Sequence, residues 1–129
     1  MNAIQIIKQY WGHTGLRPAM VVDTNQFGNL IVQDNSSRFW RITPEELECK
    51  IIAKGVKEFA VLKDTEEFKQ DWEMTGLVLL AMSQLGELAD EQCYTLEKAG
   101  DYSAFKIVTI ADLIIDSGIA AKEKAANII

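Results

Sequence analysis

The stretch PAMVVDTNQFGNLIVQDNSSRFWRIT, residues 18–43, contains three short segments rich in valine, isoleucine and aromatic residues. The segments occupy residues 19–23, 29–33 and 38–43, and turn-forming residues separate them. This pattern is typical of an antiparallel β-meander, here over residues 19–43. Alternation puts Phe39 on one face and Trp40 and Ile42 on the other, so helices must cover at least one face.

A helix is predicted on the N-terminal side of the meander, over residues 1–12. Asn2 is a favourable N-cap, and Ile4, Ile7 and Trp11 recur at helical spacing. Gly12 can end the helix, and residues 13–18 then form a loop.

Two capping motifs follow the meander. Residues 43–46, Thr-Pro-Glu-Glu, have the form of a capping box and predict a helical turn. Asp64 is expected to cap a second helix that runs to about Leu85 and stops at Gly86. The second half of that helix, GLVLLAMSQLG, is apolar nearly all round. It is therefore expected to be the central core helix, and the expected core residues are Trp72, Leu79, Leu80 and Ile110.

The remaining residues complete a fold of the α+β class. Residues 92–96 predict a strand, residues 103–116 an apolar helix, and residues 119–126 a last helix after a break at Gly118. The expected architecture is an antiparallel β-meander packed against a central apolar helix and C-terminal helices. We expect one domain over residues 1–129, in which residues 64–129 form a helix-strand-helix portion.

The charge of the chain limits its partners. The 129 residues carry a formal charge of −6 and are 48% apolar, which suits one folded domain. Residues 44–101 contain fourteen acidic and six basic groups and so hold the entire acidic excess. An acidic domain repels phosphate, so nucleic acid and anionic membranes are poor partners and a basic protein surface is a good one. The acidic residues form either a solvated face or a partner-binding one.

No targeting or membrane-spanning segment is expected. The start MNAIQII lacks the basic and long apolar regions of a signal peptide. The longest uncharged stretch, residues 74–86, is too short and too polar to span a bilayer. Cys49 and Cys93 belong to no Cys-x-x-Cys motif and are expected as reduced thiols in a cytoplasm.

Catalytic motifs are absent from the sequence. His13 is the sole histidine and lies in a Gly-His-Thr-Gly loop, where we expect it to be exposed. No phosphate-binding glycine loop and no metal-ligand spacing occurs, so we expect no cofactor, no metal and no enzymatic activity. Trp40, between Arg38 and Arg41, is expected to be an exposed residue of the sheet.

An ordered series of short motifs carries a family resemblance. The series includes LGEL at residues 85–88, CYTL at 93–96, GDY at 100–102 and the apolar segment from Ile107 to Ala120. Together with the upstream hairpin FGNL at 27–30, it resembles the small C-terminal α+β domain of type VI secretion immunity proteins of the Tdi type. The resemblance covers roughly residues 20–125.

The resemblance implies a cytoplasmic immunity protein that neutralises one cognate interbacterial toxin by occluding its active site. It further implies a DNase or an NAD(P)-degrading effector, whose phosphate-binding cleft would be basic. An acidic inhibitor suits such a cleft. The expected partner-binding residues are acidic or polar and flank the predicted core helix: Glu66, Glu67, Gln70, Asp71, Glu87, Asp90 and Glu91.

Two alternatives stay open. The chain could be a small ligand-binding domain or an enzyme whose site uses Tyr94, Tyr102 or the carboxylates of residues 87–101. It could also be an adaptor that binds another basic protein.

Overall fold

The computed structural model describes residues 2–127, and within them the fold is α+β, as predicted. A four-stranded antiparallel sheet contains, in spatial order, β1 (Pro18–Thr24), β2 (Leu30–Asp34), β3 (Phe39–Thr43) and β4 (Glu48–Ala53). A two-stranded antiparallel sheet pairs β5 (Gln92–Leu96) with β6 (Phe105–Thr109). The helices are α1 (Ala3–Trp11), α2 (Val56–Lys63), α3 (Glu66–Glu73), α4 (Thr75–Leu85) and α5 (Ile110–Ala126). The single domain over residues 1–129 stays a prediction.

The fourth strand of the meander was not predicted. Residues Pro44–Glu46 form only one 3₁₀ turn, and the Thr43 side chain makes no capping hydrogen bond, so the expected capping box is wrong. Leu47 then adopts the left-handed conformation (φ 53°), which reverses the chain. β4 consequently returns along β3, with Glu48 opposite Thr43.

Helices α1 and α5 cover one face of the large sheet. Trp11 is fully buried there, and its Nε1 donates a 2.9 Å hydrogen bond to the carbonyl oxygen of Ile114. Gly118 lies inside α5 and does not break it, which corrects the prediction of two helices. A Cβ at Gly118 would lie 2.7 Å from the carbonyl oxygen of Tyr10, so the glycine permits close approach of α1 and α5.

Helices α2 and α3 contribute to a cluster on the opposite face. Phe39 of β3 stacks on Phe59 of α2 with ring centroids 4.2 Å apart, and Trp72 of α3 joins the same cluster. Trp40 packs on the α1–α5 side, so Phe39 and Trp40 lie on opposite faces, as the alternation predicted. Trp40 is buried, however, and its Nε1 donates to the Asp34 carboxylate at 2.8 Å. The expectation that Trp40 is exposed is therefore wrong.

The predicted long helix is divided in two. Thr65, rather than Asp64, is the N-cap of α3 and accepts a hydrogen bond from the Phe68 N–H at 3.2 Å. Met74 takes a left-handed conformation (φ 48°) and separates α3 from α4, which ends before Gly86 as predicted.

Helix α4 is not the central core helix. Its Val78 and Ala81 are buried, whereas Leu79 and Leu80 are 61% and 41% exposed. The expectation that both leucines belong to the core is wrong. Trp72 is buried as expected, and Ile110 is partly buried against the α1–α5 cluster.

The segment predicted as a helix over residues 103–116 begins as a strand. Residues Phe105–Thr109 form β6 and pair with β5, which was predicted correctly. The Thr109 side chain accepts a hydrogen bond from the Asp112 N–H at 3.1 Å and so caps α5.

Candidate functional site

A cleft of about 610 Å³ lies between the β3–β4 hairpin and the junction of α3 with α4. The hairpin side carries three glutamates, and the helical side contributes Gln70, Asp71 and the backbone turn at Met74. Two residues with a left-handed backbone conformation shape the cleft. Leu47 reverses the chain between β3 and β4, and Met74 changes its direction between α3 and α4. The charged side chains that line it, within residues 2–127, are Arg41, Glu45, Glu46, Glu48, Lys50 and Asp71.

A chain of polar contacts crosses the cleft. The buried Asn29 donates its amide to both carboxylate oxygens of Glu45, at 2.7 and 2.9 Å. The Asn29 carbonyl oxygen accepts from Arg41 at 2.9 and 3.2 Å. Arg41 in turn pairs with Asp71, and its guanidinium lies 5.1 Å from the centre of the Trp72 ring. These contacts hold Arg41 in place, so its charge is already paired inside the protein.

The carboxylates outnumber the cations in the cleft. Lys50 forms an ion pair with Glu48 at 3.2 Å, and Arg41 forms one with Asp71. Burial raises the pKa of Glu45, although the hydrogen bond from Asn29 opposes that effect. Burial also raises the pKa of the Tyr102 hydroxyl, and the nearby charges of Glu45 and Glu46 add to the effect. The cleft therefore favours a cationic group over an anionic one.

The structure brings together only part of the predicted partner-binding set. Gln70 and Asp71 line the cleft. Glu66 and Glu67 are exposed in the first turn of α3, where negative charge stabilises a helix. The three other predicted residues, Glu87, Asp90 and Glu91, are exposed in the connection between α4 and β5 and do not line the cleft.

The glutamates of the hairpin were missed as site residues. The sequence pattern assigns Glu45 and Glu46 to a capping box and gives Glu48 no role. A Pro-Glu-Glu turn followed by the alternating residues of Glu48–Ala53 could have predicted a hairpin. Their position beside Asp71 depends on tertiary packing, which no local pattern encodes.

Neither thiol is placed for nucleophilic chemistry. Both cysteines are free. Burial raises the pKa of Cys49 to about 11 and that of Cys93 to about 12. A thiol needs a lowered pKa to react as a thiolate near neutral pH. Among residues 2–127, no group of three or more His, Cys, Asp or Glu side chains is arranged to hold a metal ion.

The tyrosines proposed for a ligand site have different surroundings. Tyr94 is fully buried, and its hydroxyl donates a hydrogen bond to the Gly86 carbonyl oxygen, so its role is in core packing. Tyr102 is 43% exposed and lines the cleft. His13 is exposed as expected and stacks on Trp11.

None of the helices in the described part of the chain is both long enough and apolar enough to cross a bilayer.

Part of the chain matches a known protein family. Residues 53–100 match the family described as "T6SS immunity protein Tdi1, C-terminal". The matched segment begins at the last residue of β4 and includes α2, α3, α4 and β5. The resemblance to an immunity-protein family of type VI secretion systems is thus confirmed over these residues. No curated protein sequence matches the chain.

Proposed function

We propose that this protein binds one cognate type VI secretion toxin in the cytoplasm and blocks its active site without catalysing a reaction. The observation that carries the proposal is the family match over residues 53–100. The acidic cleft supports it, because Gln70 and Asp71 belong to the matched segment and line that cleft. The charged residues of the opposite wall, Arg41, Glu45, Glu46, Glu48 and Lys50, come from the β3–β4 hairpin and precede the matched segment.

The proposed toxin has a basic active-site cleft, as a DNase or an NAD(P)-degrading enzyme requires for its phosphates. Carboxylates on the inhibitor would occupy the positions of those phosphates and exclude the substrate. The net charge of −6 would also accelerate encounter with a basic partner. The same charge makes nucleic acid and anionic membranes unsuitable partners.

The predicted partner-binding residues fall into two groups on the proposed interface. The first group contains Gln70 and Asp71, which line the cleft, and the neighbouring Glu66 and Glu67 of α3. The second group, Glu87, Asp90 and Glu91, follows α4. Helix α4, which lies between the two groups in sequence, has 11 residues and a length of about 16 Å. One partner can therefore contact both groups.

A ligand-binding function has one observation in its favour. The cleft volume of about 610 Å³ lies within the usual range for small-molecule sites. Tyr102 and Glu45 would be the residues in contact with such a ligand.

Purification of the tagged protein from a toxin-producing strain tests the two functions against each other. We expect one dominant co-purifying protein, encoded beside this gene, and protection of sensitive cells when the two are co-expressed. Native mass spectrometry of the same sample would reveal a bound small molecule. A small ligand without a toxin would overturn the immunity proposal.

A further inference from the structure

The outward face of α4 contains no charged residue. Its exposed positions are Thr75, Gly76, Leu79, Leu80, Ser83, Gln84 and Leu85. Leu79 and Leu80 lie at its centre and are 61% and 41% exposed. A helix on the surface of a globular protein usually places charged residues on its solvent side. Adjacent exposed leucines on an uncharged face are typical of a contact surface.

The opposite face of α4 makes the contacts that attach the helix to the core. Val78 and Ala81 are buried in a cluster with Tyr94 and Phe105, and Leu77 and Met82 pack against that cluster. The two central leucines are absent from the cluster. The packing of the protein itself therefore does not explain why these positions are leucine.

Acidic residues border this face at both ends. Asp71 lines the acidic cleft together with Gly76 and Leu77. Glu73 and Leu79 line a shallow groove on the other side of the helix. Glu87 is exposed two residues beyond the end of α4. The uncharged face is therefore continuous with the cleft and has a negative border.

The sign of the border distinguishes between possible occupants. Two copies of this chain, packed through α4 about a two-fold axis, would bring acidic borders together, which opposes association. A different protein with an apolar patch surrounded by lysine and arginine would match both the centre and the border. Such an arrangement, an apolar centre inside a charged border, is the usual anatomy of a protein interface.

We propose that the outward face of α4 is the apolar centre of the toxin interface, with Leu79 and Leu80 as its anchors. This inference rests on the proposed function and specifies which surface performs it. The toxin contributes an apolar patch bordered by basic residues. The acidic cleft then governs the rate of encounter, whereas the leucines govern the lifetime of the complex.

The test compares two pairs of exposed apolar residues. One variant carries Leu79→Ala and Leu80→Ala, and the control carries Val56→Ala and Val61→Ala on α2, where the side chains are 62% and 71% exposed. The probe is the catalytically inactivated toxin encoded beside the gene, immobilised for kinetic binding measurements. We expect the leucine variant to dissociate about 30-fold faster or more. We also expect little change in its association rate, a control that behaves as wild type, and unchanged melting temperatures.

Each other outcome overturns a defined statement. If wild type binds and the leucine variant keeps its dissociation rate, the α4 proposal is wrong and the immunity function stands. If the valine pair loses as much affinity as the leucine pair, α4 is not the centre. If sedimentation shows a wild-type dimer that the leucine substitutions dissociate, the occupant is a second copy. If wild type neither binds the toxin nor protects cells, the proposed function itself fails.

Discussion

The buried Asn29 and the partly buried Glu45 form an amide–carboxylate pair, in which the Asn29 Nδ2 lies 2.7 and 2.9 Å from the two carboxylate oxygens. The same asparagine accepts two hydrogen bonds from Arg41. Asn29 therefore links the turn that contains Glu45 to the strand that contains Arg41. Its one neutral side chain makes hydrogen bonds to two charged side chains.

Replacement of Asn29 by alanine should destabilise the protein by about 2–3 kcal/mol. The substitution leaves Glu45 and Arg41 without their shared partner, and buried groups that lose a hydrogen-bond partner are costly. Urea denaturation measures the change. Gln9→Ala, which removes an exposed amide from α1, is the control and should change stability by less than about 0.5 kcal/mol.

The stability contributed by Asp34 should depend on pH. Burial acts to raise the pKa of Asp34, but hydrogen bonds from Trp40, Arg38 and Ser36 together outweigh it and hold the pKa below 3.8. A carboxyl group with a lowered pKa stabilises the fold above its unfolded pKa, and this stability is lost as the pH falls through the folded value. Wild type should thus exceed Asp34→Asn in stability at about pH 7. The difference should shrink below pH 3.8.

Denaturation of both proteins across the acid range measures this difference. A difference that stays constant down to about pH 2.5 would show that the Asp34 charge does not stabilise the fold.

Charge reversal beside the cleft should slow association with the toxin. The double variant Glu67→Lys and Asp71→Lys replaces attraction with repulsion, so we expect an association rate lower by about tenfold at low salt and a weaker salt dependence. Folding should change by about 1 kcal/mol or less, because the Asp71 side chain is 67% exposed and Arg41, whose side chain is 12% exposed, keeps its hydrogen bonds to Asn29.

Stopped-flow binding at two ionic strengths measures these rates. The control, Asp116→Lys with Glu123→Lys on the exposed side of α5, makes the same change in net charge. If both variants slow association equally, total charge rather than the cleft steers the encounter.

Alanine at two helical glycines should have opposite effects on stability. Gly118→Ala would place its Cβ 2.7 Å from the Tyr10 carbonyl oxygen and 2.8 Å from the Tyr10 Cβ, so it should destabilise the protein by about 1–3 kcal/mol. A Cβ at Gly76 has no neighbour within 4 Å, so Gly76→Ala should stabilise the protein by up to about 1 kcal/mol. Thermal melts of both variants provide the comparison. If the two substitutions changed stability equally, α1 and α5 would be able to move apart without a loss of stability.

Local signals explain which elements the sequence could predict. Asn2 caps α1 through a hydrogen bond to the Gln5 N–H, and the first three strands are bounded by turn residues, so both predictions succeeded. Strand β4 directly follows a sequence pattern typical of a helix start, and strand β6 directly precedes a helix. For this reason, neither strand was predicted. The run Ile107–Val108–Thr109–Ile110 is apolar except at Thr109, and periodicity alone does not assign so short a run to a strand or a helix.

Burial and the site depended on information that is not local. The all-apolar sequence of α4 suggested burial on every side, yet only one side of the helix meets the core. Gln70 and Asp71 were predicted as site residues because the sequence places them on the solvent-exposed face of their helix. Their neighbours Glu46 and Glu48 come from a hairpin about 25 residues earlier, and only the packed fold brings them to the same cleft.

The hydrogen bond between Trp11 and Ile114 also bears on how the chain is synthesised. These residues are 103 positions apart, a distance that a ribosome covers in about 5–20 s. During that interval the indole and the apolar side of α1 have no α5 to cover them. The segment that matches the immunity family, residues 53–100, is complete before that cover arrives. Among the described helices, α1 therefore waits longest during synthesis for the helix that packs against it.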